Sequence, residues 1–511
     1  MTITSFAYLT FILVGGCIYY ILPKKMQWLE LLALSIVFYC VVANPYTLIF
    51  PIIATLLAYS STLLQQTESV KRAKWKYTGC TIVTLAVILC VSLWFWLKAS
   101  DIWVSVSYRI SNIVSFVQPL SAPSVLAALG MGYYTLQIIG YILDCYWGTI
   151  QPQRNPLKLF LFVIFFPQMV TGPISRYSQL EGLFLPNKLL YENVTQGAQR
   201  ILWGFFKKIV IADRIGVVAD KVFLHPYDYN GIFVIVGVLA YCLQLYADFS
   251  GGMDVVSGAA ELYGIRLDKN FRQPFFSKSI SEFWRRWHIT LGTWMKDYVF
   301  YPFSLSKKMM KFSKLMKKHL GTFAGKTLPI CLADLLIFFL VGVWHGAAWK
   351  FIVYGMYNGI IIAASSLLEP VYEKMFKVTH INKNAKWYRV FQIIRTFILV
   401  NIGWFFDDAA NLKESFVLIK NVFVNFSIKP LFDGSVRAMM EFSSMDMLAI
   451  AVGIAALFIV GVINEKGIDI RKSLAKKPLI LRWAVYLMLV MSIPVLGYVS
   501  AETGGFLYAQ F

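Results

Sequence analysis

The sequence predicts an all-α, polytopic membrane protein, and three observations carry that prediction. Of its 511 residues, 58% are hydrophobic and only 15% are charged, where soluble domains carry about 25% charge. Apolar runs of roughly 17–25 residues, the length that spans a bilayer as a helix, recur along the whole chain. The net charge of +21 is gathered in short connections between those runs, as the positive-inside rule expects. That placement, with no basic and aromatic soluble module, argues against nucleic acid as a partner.

The elements follow in order. Residues 3–22 form a first apolar run that lacks a basic leader and is followed directly by Lys24 and Lys25. It reads as a transmembrane helix with its N-terminus outside, not as a cleaved signal peptide. Residues 28–43 return outward, and Asn44-Pro45 makes a turn. Residues 46–65 run inward to a basic loop with Lys71, Arg72, Lys74 and Lys76, and residues 78–97 run outward again. Each basic loop falls on the same side.

The middle is less regular. Residues 125–147 read as a span carrying Gln137 and Asp144. Residues 157–173 are short and broken by Pro167, and residues 199–224 are interrupted by Lys207, Lys208, Asp213 and Arg214. Such interruptions predict re-entrant or broken helices lining a cavity, since unpaired backbone cannot face lipid. Residues 230–247 read as an ordinary span that ends in the polar, glycine-containing stretch Asp248 to Asp254. The segment 279–303 is too rich in Trp and Arg to cross alone.

Residues 304–326 hold seven lysines and no acidic residue. Met309, Phe312, Leu315, Met316 and Leu320 fall on one helical face, which predicts an interfacial amphipathic helix. Its partner is either the anionic inner leaflet or an acidic carrier or nucleotide phosphate. Residues 328–345 and 347–368 form a tight hairpin with His345 near its tip. Residues 390–406, 447–463 and 481–499 complete about eleven or twelve crossings, with loop 407–445 outside.

Two histidines stand out. His345 lies in the apolar stretch Val343-Trp344-His345-Gly346. An ionisable side chain at such depth is costly and marks a functional site by default. A buried neutral imidazole suits the general base that a hydroxyl nucleophile needs; the structural alternative is a hydrogen-bonded bridge between helices. His288 closes the cationic, aromatic run Trp284-Arg285-Arg286-Trp287-His288. It is either an interfacial residue or part of a charged entrance, where Arg285 and Arg286 would hold an anionic donor by forked hydrogen bonds. Asp248, Ser250 and Asp254 follow an apolar run, and pairing of the acids with nearby arginines is the expectation, since intramembrane charges usually pair. No metal-ligand spacing is present, and the seven cysteines form no Cys-x-x-Cys pair, so no resident metal or cofactor is expected.

Several stretches together resemble the membrane-bound O-acyltransferase family, in its bacterial, polymer-modifying branch. They are Tyr133-Tyr134-Thr135-Leu136-Gln137 through Asp144, Phe166-Pro167-Gln168-Met169-Val170-Thr171-Gly172-Pro173, Ala247-Asp248-Phe249-Ser250-Gly251, Phe283-Trp284-Arg285-Arg286-Trp287-His288 and Val343-Trp344-His345-Gly346. The likeness runs from the first span to about residue 420 and is specific as a set. It implies one transmembrane domain over residues 1–511, with N-terminal helices to 125, a catalytic core at 126–406, and an outer loop and C-terminal helices at 407–511. It also implies a central funnel, with His345 as the catalytic histidine and His288 as the second. Around them, Arg285, Arg286, Trp287, Trp344, Gln137, Asp248 and Ser250 are the expected donor- or substrate-binding residues.

The resemblance further implies a cytoplasmic thioester donor, either acetyl-coenzyme A or an acyl carrier protein, and an outer esterase-like partner that finishes transfer to a surface polysaccharide. Membrane lipid surrounds the protein, and the bacterial cytoplasmic membrane is the expected site. D-alanyl transfer to teichoic acid is the alternative within the class. A proton-coupled transporter is the rival outside it, but it would call for repeated halves with paired broken helices, and no such repeat is visible.

Overall fold

The structure is a computed structural model that describes residues 1–67, 78–98 and 129–498. The predicted basic loop at Lys71–Lys76 and the start of the predicted span at 125 lie outside the described residues. Among the described residues the regular structure is helical throughout, with no strand. Eight helices among the described residues are long and apolar enough to cross a bilayer, and two shorter apolar helices precede them. The chain is a multi-pass membrane protein.

The described residues pack as two compact units, one drawn from Met1–Gly204 and Gly252–Asp268, the other from Phe205–Gly251 and Lys269–Gly504. The first unit holds α1 (Phe6–Ile21), α2 (Gln27–Val42), α3 (Ile49–Gln66), α4 (Thr78–Lys98), α5 (Met131–Trp147), the short α6 (Pro156–Ile164) and α7 (Tyr191–Phe205) up to Gly204. Local chemistry sets several of these boundaries. Asn155 caps α6 by accepting from Leu157 and Lys158 N–H, and Pro156 occupies the first turn, where a missing N–H costs nothing. Gly148, at φ 75°, supplies the left-handed residue that ends α5. After α6 the chain breaks at Phe165, whose following residue donates its N–H to Ser35 Oγ of α2 at 3.1 Å. The broken helix expected at 157–173 is therefore present, and a helix side chain takes up its freed backbone, as a dry interior requires.

The second unit contains a seven-residue π-helical turn at Phe206–Ala212, α8 (Asp213–Leu224), and most of α9 (Ile232–Leu262). It continues with α10 (Ile280–Arg286), α11 (Ile289–Met295), α12 (Lys307–His345), α13 (Trp349–Leu367), α14 (Lys386–Asp408), α15 (Ser444–Glu465) and α16 (Leu479–Leu496). The interruption expected at 199–224 takes the form of the π turn.

One expectation fails. The span expected to end at Asp248 instead runs unbroken to Leu262. Ser250, Gly251 and Gly252 are helix-weakening by roughly a kcal/mol at most each in isolation, but all three are buried, so packing overrides propensity. Farther along the same helix, a Cβ on Gly258 would lie 2.7 Å from the Gly197 carbonyl of α7. The polar stretch is thus a contact surface, not a terminus.

The hairpin of α12 and α13 carries His345 near its tip. Pro329 stands inside α12, and Gly321 at φ 86° and ψ 173° reverses the chain between its lysine-rich and apolar halves. Downstream the apolar half packs against α13 backbone to backbone. A Cβ on Gly355 would meet the Phe338 carbonyl at 2.1 Å, and one on Gly342 would meet the Phe351 carbonyl at 2.6 Å. Small residues let helices approach this closely where no hydrophobic effect drives them together. A Gly355→Leu variant should therefore unfold at markedly lower temperature in detergent, by about 1–3 kcal/mol or more from overpacking. Gly16→Ala, at a helical position where a Cβ meets nothing within 4 Å, should leave the melting curve in place.

Candidate functional site

Both histidines belong to the second unit, and both are buried, at 1% exposure for His288 and 3% for His345. His345 is the last residue of α12, and Gly346 closes that helix with its N–H on the Gly342 carbonyl. The chain then turns directly into α13. Phe351 and Tyr354 of α13 pack on the imidazole, with ring centroids at 6.2 and 5.9 Å. Tyr354 in turn stacks on Trp404 of α14. The predicted hairpin with His345 at its tip is what the fold contains.

His288 sits at the turn between α10 and α11, outside the membrane-spanning helices, at φ 45° and ψ 52°. A non-glycine residue in this left-handed region carries strain and persists only where its surroundings hold it. Asn270 does the holding. Its carbonyl accepts from Ile289 N–H, and its Oδ1 takes hydrogen bonds from Thr290 N–H at 3.0 Å and Thr290 Oγ1 at 2.9 Å. The same Oδ1 lies 3.3 Å from His288 Nδ1. Since that oxygen is an acceptor, the proton sits on Nδ1 and the Nε2 lone pair is left as an acceptor. Burial first, and then the neighbouring His345, push the His288 imidazole down to about 3, so the neutral ring prevails at physiological pH.

Trp344 links the two histidines. Its ring lies 5.9 Å from His288 and 5.2 Å from His345, edge-on to both. Phe249 of α9 closes the other side of His288 at 4.9 Å. Two buried imidazoles thus share one aromatic wall.

The remaining predicted residues fall into distinct environments. Trp287 is 1% exposed and packs among Phe271, Phe283 and Trp404, so its indole belongs to the aromatic core beside α10. Arg286 reaches Glu282 and Glu465, both at 2.7 Å. Two carboxylates therefore already occupy the guanidinium that the sequence offered as a donor anchor. Arg285 is exposed and donates to Ser281 Oγ. Asp248 and Ser250 flank Phe249 and are engaged by two consecutive lysines of the π turn. Lys208 Nζ lies 2.7 Å from both Asp248 and Asp213, and Lys207 Nζ donates to Ser250 Oγ at 2.9 Å. The expected partner of Asp248 was an arginine; a lysine takes that place. Asp254 does pair with an arginine, Arg200, in the first unit. Gln137 also belongs to the first unit, where its amide donates to the Ser175 carbonyl.

Sequence reading missed Asn270, Lys207 and Lys208 as contributors to this neighbourhood. For the lysines a signal existed: two adjacent cations inside an apolar run require partners, and Asp248 with Ser250 in another apolar run supplies them. Asn270 lies in an irregular connection and offered no such signal.

The family model of MBOAT, the membrane-bound O-acyltransferase family, matches residues 53–402.

The chain belongs to the membrane-bound O-acyltransferase family.

It is an O-acyltransferase by that membership. It is similar to a probable alginate O-acetylase of Azotobacter vinelandii, 31% identical over 80% of this chain and 74% of that protein. A peptidoglycan O-acetyltransferase of Helicobacter pylori is 31% identical over 58% of this chain and 57% of that protein. A teichoic acid D-alanyltransferase of Bacillus subtilis is 28% identical over 58% of this chain and 73% of that protein.

Two substitutions test the architecture of this region. Asn270→Leu strands the buried Thr290 N–H and should cost about 1–3 kcal/mol in thermal unfolding, while Asn270→Asp, which keeps the acceptor, should retain most of the stability. Lys208→Met leaves Asp248 and Asp213 without their shared ammonium and should destabilise by about 3–5 kcal/mol. Adding Asp248→Asn should recover part of that loss. An unchanged melting temperature for Lys208→Met would show that the buried acids do not depend on it.

Proposed function

We propose that this enzyme takes an acyl group, acetyl in the first instance, from a cytoplasmic thioester and passes it across the cytoplasmic membrane for O-acylation of a cell-surface polysaccharide. The observation that carries this reading is the pair of buried imidazoles, His288 and His345, set against the single Trp344 ring. Acyl transfer to a hydroxyl needs a base at the moment of attack, and a buried neutral imidazole meets that need.

In this reading His345 takes the proton from the accepting hydroxyl as its oxygen attacks the thioester carbonyl. The carbon–sulfur bond breaks, and the proton leaves with the thiolate. His288 lies on the donor side, held neutral by burial and oriented through Nδ1 by Asn270, so that its Nε2 accepts a hydrogen bond from the donor arm. Arg285, exposed at the edge of α10, is the guanidinium placed to meet an anionic donor. Arg286 serves instead to pin α10 to α15 through Glu465. Trp344 excludes water from the two rings, Trp287 packs the aromatic cluster that holds α10, and Ser250 and Asp248 tie α9 to the π turn, while Gln137 supports the helices of the first unit. An outer esterase-like protein then completes transfer to the polymer, and the N-terminus faces outward.

Acetyl is put first because two of the three relatives described above are named for O-acetyl transfer, each at 31% identity, against 28% for the D-alanyltransferase. The test uses purified protein in liposomes with radiolabelled acetyl-coenzyme A, and His345→Ala alongside. The native enzyme should consume the thioester, and the variant should fall by about 10²-fold or more, the contribution of a general base. Equal consumption by both would remove His345 from the chemistry. Turnover of a D-alanyl carrier thioester with none of acetyl-coenzyme A would replace acetyl by D-alanyl.

A further inference from the structure

The lysine-rich stretch that opens α12 is not used by the acyl-transfer reading, and the fold gives it an unexpected shape. Ser306 caps the helix by accepting from Met309 N–H, and the chain then runs as a helix until Gly321. There the positive φ turns it back on itself. The two arms touch closely: Ser313 Oγ donates to the Gly325 carbonyl at 2.7 Å, and a Cβ on Gly325 would lie 2.9 Å from both Lys317 N and Cα. The result is a helical hairpin, not a single straight amphipathic helix.

Between the arms and the preceding segment lies a cavity of about 400 Å³. Its walls include Phe300, Leu305, Met310, Pro329 and Ile330, with Ser304, Ser313, Lys314 and Lys326 completing the lining. The volume falls within the roughly 300–1,000 Å³ range of small-ligand sites. Two cations from different arms thus converge on an apolar cavity. Leu305, Met310 and Ile330 are exposed beside it, and five further lysines stand on the same stretch with no acidic residue among them.

We propose that this cavity is a binding site for one anionic phospholipid, its phosphate held by Lys314 and Lys326 and its acyl chain lying along Leu305, Met310, Pro329 and Ile330. The chemistry of the lining selects that occupant. Ammonium groups attract phosphate, and an apolar cavity gains nothing from a free phosphate or from the hydrated acidic surface of a folded carrier protein. A lipid supplies both halves. The site stands apart from the two histidines, and its test does not depend on acyl transfer.

The experiment is native mass spectrometry of the full-length protein in detergent, offered phosphatidylglycerol or phosphatidylcholine of identical chains. Native protein should retain one phosphatidylglycerol several-fold more than phosphatidylcholine. Lys314→Gln/Lys326→Gln should remove that preference, and Ile330→Trp, which fills the cavity while keeping every charge, should remove the bound lipid. Lys308→Gln/Lys318→Gln, which takes equal charge from lysines that do not line the cavity, should change neither. Glycerol-3-phosphate, the headgroup without chains, should fail to displace the lipid. Displacement by glycerol-3-phosphate or by an acidic carrier protein would overturn the proposal, as would equal losses in the two double variants.

Discussion

The close contact between α12 and α13 is the constraint on which the candidate site depends. In a bilayer no hydrophobic effect pulls two apolar helices together, so their association rests on dispersion and on how near the backbones come. Gly342 and Gly355 remove the side chains that would keep them apart. Because the two backbones meet there, the turn that follows can be only three residues long, and His345 is carried on the last turn of a rigid helix instead of a loop. A general base must stand within a few tenths of an ångström of its proton, and rigid elements hold such positions better than mobile ones.

The same demand for internal satisfaction organises the rest of the second unit. Lys207 and Lys208 would be prohibitively costly alone in a dry interior, and so would Asp248. The π turn at Phe206–Ala212 places the two consecutive lysines against α9, where Ser250 and Asp248 receive them. Phe249, between those two residues, faces His288. A structural charge network and a candidate catalytic ring therefore share one helical segment. The family's polar stretch Asp248-Phe249-Ser250 thus has a packing explanation alongside any part it takes in substrate binding.

The histidines differ in how they are held. His345 rests on aromatic neighbours from α13 and on the helix end. His288 rests on strained backbone tied to Asn270, with Phe249 and Trp344 against its ring. Arg286, drawn toward Glu282 and Glu465, shows the same economy of charge: a guanidinium near carboxylates becomes a strut before it becomes a ligand site. Arg285 alone of the pair is exposed, and its guanidinium donates to Ser281 Oγ of the same helix.

Much was legible in the chain itself. Hydropathy determined the membrane class and the place of most of the long apolar helices, eight of which stand among the described residues with two shorter ones against the eleven or twelve crossings expected, because length and apolarity are local properties read residue by residue. The hairpin carrying His345 and the broken helix at 157–173 were legible for the same reason, whereas at 199–224 the expected break is a π turn inside a continuous helical run. What only the tertiary structure decided concerns partners far apart in sequence. That α9 continues through Asp248 to Leu262 depends on burial that overrides the weak helix propensity of Gly251 and Gly252. That Asn270 sets the His288 tautomer, that Lys208 and not an arginine answers Asp248, and that the lysine-rich helix folds back at Gly321 all depend on contacts no local pattern encodes. Periodicity tells a helix which face is apolar; only packing tells it what that face meets.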